Sequence, residues 1–70
     1  MDWTQCDLIE VVPGKMSGAP VIKGTRVTPE TIVINRELGK EEIAYQFSLP
    51  VEIVRQILSY WEIHQPALIR

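Results

Sequence analysis

Two short stretches carry side chains able to recognise an anion or a base edge. Residues 23–26, Lys-Gly-Thr-Arg, set two cations around a glycine between the apolar pair Val21-Ile22 and Val27. Such a group can bind an anion, shape a tight turn or face a partner chain. Residues 55 and 56, Arg-Gln, are side chains that read bases in the major groove, with Ser59 one turn further and Lys40 upstream. Other chemistry is thinly represented. Cys6 and His64 are the only cysteine and histidine and lie far apart, which is no zinc spacing. No Ser-His-Asp or Cys-His arrangement with a motif around it, no phosphate-cradling glycine loop and no ligand cluster is present. The chain is therefore expected to have no catalytic residue, no metal, no cofactor and no small-molecule substrate. His64 near a helix C-terminus suits the dipole there. Asp2, Asp7 and Glu10 read as solvated acids on an N-terminal arm.

Whatever these residues do must be positioned by little material. Seventy residues make one domain, and a core of this size supplies roughly 3–5 kcal/mol without reinforcement. A single cysteine excludes an internal disulfide and fits a reducing cytosol. Oligomerisation remains, and an apolar fraction of 46% suits a core continued into a second copy, so a homodimer is expected. The N-terminus has no apolar leader segment and no run approaches ~18 apolar residues, so a cytoplasmic protein without membrane contact is expected. A net charge of -2 argues against strong general affinity for nucleic acid.

Leu8 to Val12 reads as a strand stopped by Pro13-Gly14. Residues 21–27 read as a hairpin turning near Lys23-Gly24, with Gly24 at positive φ as the left-handed residue after a type I turn. Thr28-Pro29-Glu30 combines an N-cap, a proline for the first helical position and an acid for the first turn. That helix is expected to run through Leu38 and stop at Gly39. Ile34 and Leu38 share one face, and Ile32 and Val33 lie toward others, so the helix needs cover on more than one side. A short helix, Lys40 to Phe47, puts Ile43, Ala44 and Phe47 on one face. A last helix runs from Pro50 to about His64 and is stopped by Pro66. The expected class is α+β, mainly α: a short β arm and hairpin (1–28) followed by a three-helix core (29–65).

Residues 40–58 fill the slots of a helix-turn-helix. Ile43 then Ala44 supply an apolar and a small residue for a close helix crossing. Phe47 ends the first helix, Ser48 stands in the turn where glycine is common, and Leu49 follows. Val54 and Ile57 then point inward from the second helix. Its outward face carries Arg55, Gln56 and Ser59, opposed by Glu52 and Glu62. Since duplex affinity depends on neutralising phosphates, DNA binding by the chain alone is expected to be weak.

The string Gly18, Pro20, Val21, Ile22, Gly24, Thr25, Arg26, Val27, with the later "ELG" and "EEIAYQFSLPVEIVRQILSYW", resembles the Domain of Unknown Function 433 family across nearly the whole chain. Trp3 and Cys6 are similar to the opening of one branch of it. The resemblance implies a small prokaryotic protein, homeodomain-like in its helical part. It also implies an antitoxin-like role beside toxins related to PIN-domain ribonucleases. One departure is that Gly39 runs directly into Lys40-Glu41-Glu42, where many members open the middle helix with Ser or Thr after a longer lead-in. Within the string, Arg26 is either structural, paired with Glu10 or Glu30, or directed at a partner or nucleic acid.

The expected function is thus a non-enzymatic binding module of a toxin–antitoxin pair. It would sequester a PIN-like toxin by occlusion, with Val21, Ile22 and Arg26 in contact and the apolar arm adding to the partner's sheet or covering its cleft. Operator binding through Lys40, Arg55, Gln56 and Ser59 would be secondary and need that partner. The C-terminal "QPALIR" is too short to wrap a toxin. The rivals are a stand-alone helix-turn-helix transcriptional regulator and a structural subunit of another complex.

Overall fold

A computed structural model describes residues 2–64; the Pro66 stop, the boundary at 65 and the C-terminal segment fall outside them. The order is a two-stranded antiparallel sheet and then three helices: β1 (Ile9–Glu10), β2 (Val21–Ile22), α1 (Pro29–Ile34), α2 (Lys40–Phe47) and α3 (Val51–His64). The small, mainly helical α+β architecture agrees with the sequence reading.

The strands pair differently from that reading. Ile9 faces Ile22 and Glu10 faces Val21, so β2's ladder partner is β1 and not the Arg26-Val27 segment. Residues 22–25 nevertheless form a tight turn. Thr25 N–H donates to the Ile22 carbonyl at 2.9 Å and Ile22 N–H to that of Val27 at 2.9 Å. Gly24, at φ +76°, is the third residue of the turn, and Lys23 ahead of it has no positive φ. That sign pattern is type II, which needs glycine at this position; the type I expectation is corrected.

Helix α1 starts as expected, with the Thr28 side chain accepting from Thr31 N–H and Pro29 in the first turn. It ends earlier than expected, at Ile34. Asn35 N–H and its side-chain Nδ2 both donate to the Thr31 carbonyl, the latter at 2.8 Å. Asn35 settles at φ -96°, ψ 13°, outside the helical region. The chain continues as a 3-10 turn, Arg36–Leu38, into Gly39. This shortening decides which residues go inward. Ile32 and Pro29 are buried, whereas Ile34 is 76% exposed and Leu38 48%.

Helices α2 and α3 match the helix-turn-helix slots. Ile43, Ala44, Val54 and Ile57 are all buried, with Phe47 and Leu49 packed against them. Between the helices Ser48 takes the left-handed conformation (φ 56°, ψ 44°). Leu49 N–H donates to the Ala44 carbonyl at 2.9 Å and Ser48 N–H to that of Tyr45 at 3.4 Å, the Schellman closure that uses up the last carbonyls of α2. The N-terminal segment completes the core. Trp3, 2% exposed, sits in a 3-10 turn capped by Asp2. Its ring stacks on Tyr60 at 5.3 Å, and Tyr60 stacks on His64 at 4.0 Å.

Candidate functional site

The Lys-Gly-Thr-Arg turn is held by its own side chains and by β1. Thr25 Oγ1 donates to the Ile22 carbonyl at 2.8 Å and accepts Val27 N–H at 3.0 Å. Gly24 N–H donates to Glu10 Oε2 at 3.0 Å, and Lys15 Nζ reaches the same oxygen at 3.2 Å. Glu10 is therefore no solvated acid. The Gly24 amide and then Lys15 hold its carboxyl below the usual range. Of the roles left open for Arg26, the pairing with Glu10 or Glu30 is not formed: among the described residues it makes no ion pair with either, and it is exposed. Val21 and Ile22, expected to contact a partner, are 0% and 4% exposed within the chain's own core. Two-residue strands offer little edge for strand addition, so the turn, and not the strands, is the outward feature of this region.

The helical half holds a second group. A cleft of about 300 Å³ is lined by Arg36, Gly39, Lys40, Arg55, Leu58, Ser59, Trp61 and Glu62. Three of the four residues expected to face DNA, Lys40, Arg55 and Ser59, meet there; Gln56 is not in its lining. The sequence reading missed Arg36 and Trp61. The Arg36 guanidinium lies 4.8 Å above the Trp61 ring, a cation–π contact, and its Nη1 donates to the Val33 carbonyl at 2.7 Å. Ending the first helix at Asn35 was the signal that would have brought Arg36 to this place.

Glu52 restrains Arg55 and Gln56, the two residues expected to read bases. Arg55 donates to it through Nε, at 3.0 Å, and through Nη2, and Gln56 Nε2 donates at 2.9 Å. Arg55 and then Gln56 hold the Glu52 carboxyl down to about 2. Glu52 and Arg55 are both half-exposed, so this pair contributes little to stability; its importance is that it occupies two of Arg55's five donors. A second groove, which shares Trp61, is lined by Trp3, Glu30, Val33, Ile34 and Trp61. Among the described residues no cluster of three or more His, Cys, Asp or Glu could hold a metal, and no helix is long and apolar enough to cross a membrane.

Residues 9–61 match the family model described as "Protein of unknown function (DUF433)". No curated protein and no solved structure matches the chain.

Proposed function

The chain belongs to the DUF433 family, and on that footing we propose that it is a non-enzymatic, antitoxin-like binding module, sequestering a PIN-like toxin and contributing to operator binding. The observation that carries this reading is Arg26. Its neighbours in the turn are tied down, Gly24 to Glu10 and Thr25 to its own backbone. Arg26 is presented outward by that fixed turn, and among the described residues it has no carboxylate partner. A guanidinium on a backbone fixed by the turn is a fork for a partner's carboxylate, with the ordering cost of the backbone already met by the fold. Occlusion then works through the turn and not through strand addition, because Val21 and Ile22 are consumed by the core.

The test is co-expression with a PIN-like protein found encoded beside it, followed by titration calorimetry; a neighbouring gene of another kind counts against the reading. Arg26→Ala should weaken the complex roughly 30-fold, as an interface hot spot of about 2 kcal/mol does. Arg26→Lys should recover only part of the loss, and the thermal midpoint of the free protein should not move. A complex of unchanged affinity with Arg26→Ala, or no complex with the wild-type chain, overturns the proposal.

A further inference from the structure

The cleft beside α3 gathers cations from three separate places in the chain. Arg36 comes from the 3-10 turn after α1, Lys40 from the first residue of α2, and Arg55 from the second turn of α3. Against these three cations its lining holds one carboxylate, Glu62. Arg36 uses one of its five donors on the Val33 carbonyl, and its Cζ lies over the Trp61 ring. Arg55 spends two donors on Glu52 and keeps three. Ser59 adds a hydroxyl to the same lining. Gly39, immediately before α2, makes no side-chain cap for the first amides of the helix, and Glu41 and Glu42 in that first turn offset the positive potential there. A cleft that converges charged donors in a net acidic chain, and walls one side with an indole, suits a tetrahedral oxyanion.

We propose that this cleft seats a backbone phosphate of duplex DNA through Arg36, Lys40, Arg55 and Ser59, with Glu52 as a built-in competitor that holds Arg55 back. The proposal deepens the operator-binding part of the function above and rests on it. It changes the role expected of Arg55, from base reader to phosphate contact, and makes Glu52 a restraint on affinity. Such a contact positions the duplex and carries no sequence information by itself.

The test uses the full chain without any partner protein, so its outcome is separate from that of the toxin-binding experiment. Amide and indole resonances are followed during titration with sodium phosphate, with sodium chloride at matched ionic strength, and with a 20-base-pair duplex. Gly39, Lys40, Ser59 and the Trp61 indole should move with phosphate and with duplex, and not with chloride. Lys40→Ala should weaken duplex binding alike for all sequences and flatten its salt dependence. Glu52→Gln should tighten duplex binding by about three- to fivefold, the size of one exposed charge interaction; this gain cannot come from a damaged fold. Resonances that ignore both phosphate and duplex overturn the seat. A response to phosphate without one to duplex overturns DNA as its source, and weaker or unchanged duplex binding by Glu52→Gln overturns the competitor role.

Discussion

Replacing Trp3 tests whether the N-terminal segment is part of the core or an appendage to it. Trp3 is 2% exposed, and its ring stacks on Tyr60, whose Oη donates to the Asp2 carbonyl at 2.9 Å. A buried tryptophan covers about 150–250 Å². At about 25 cal/mol per Å² that is about 4–6 kcal/mol, lowered to about 3–5 kcal/mol because a denatured chain already hides part of the ring. Truncations of buried aromatics to alanine fall in the same range, about 3–5 kcal/mol. A chain of this length has a total stability of roughly 3.5–10 kcal/mol, and the lower half suits a single small core. Trp3→Ala should therefore remove most of the stability. In urea, with a slope near 1 kcal/mol per molar, the far-UV circular dichroism midpoint should fall by about 3 M, leaving little or no native baseline. Trp3→Phe, which keeps a ring against Tyr60, should lose much less. A cooperative Trp3→Ala transition displaced by under about 0.5 M would refute the placement of Trp3 in the core.

Gly39, at φ 94° and ψ 151°, occupies a region open essentially to glycine alone, where another residue costs about 1–3 kcal/mol. Gly24→Ala should cost about 1 kcal/mol. A Cβ at either position meets no atom within 4 Å, so a denaturation midpoint unchanged by both substitutions would show that the backbone, and not packing, has been misjudged. The Glu52 carboxyl should titrate near 2, against an ordinary 4.5. A pKa lowered in the folded state gives a stabilising contribution present above pH 4.5 and lost as the pH falls toward 2. Carbon-detected titration checks this: Arg55→Ala should return the midpoint toward 4.5, and a wild-type midpoint already there refutes the Glu52–Arg55–Gln56 cluster.

The parts of the fold legible in the sequence are those set by local rules. Thr28-Pro29-Glu30 starts a helix through capping and proline geometry, and Ile43, Ala44, Val54 and Ile57 are inward because helical spacing makes them so. The parts that were not legible depend on contacts distant in sequence or on side chains competing with the backbone. Glu10 takes its meaning from Gly24, fourteen residues later. Asn35 ends α1 by donating twice to one carbonyl, and everything after it is re-aimed: Ile34 outward, Arg36 onto Trp61. The candidate cleft was legible to the same degree. Lys40, Arg55 and Ser59 follow from the helix-turn-helix register, whereas Arg36 and Trp61 depend on where α1 stops. The family match begins at residue 9, yet Trp3 is among the least exposed side chains.

Net charge is a poor guide to this chain because its cations are not spread evenly. A formal charge of -2 argues against nucleic acid, but the cleft sets three cations against one lining carboxylate. The same count limits what one chain can do. One seated phosphate gives a slope of log affinity against log salt near -0.9, a loss of roughly 3.5-fold between 50 and 200 mM salt; six contacts would lose roughly a thousandfold. On the proposed seat, Glu52 should lower the contribution of Arg55 further. A single chain should then bind duplex weakly and with shallow salt dependence, while a second copy or a bound partner that supplies another half-site would multiply affinity through effective concentration without any new contact in the cleft. Arg26 lies on the N-terminal turn and the cleft lies among α2, α3 and the 3-10 turn before them, so engaging a partner through one does not use the residues of the other. That separation is what a module needs if sequestering a protein and holding an operator are to proceed together, and it is what an autonomous regulator, with all its contacts on the recognition face, would not require.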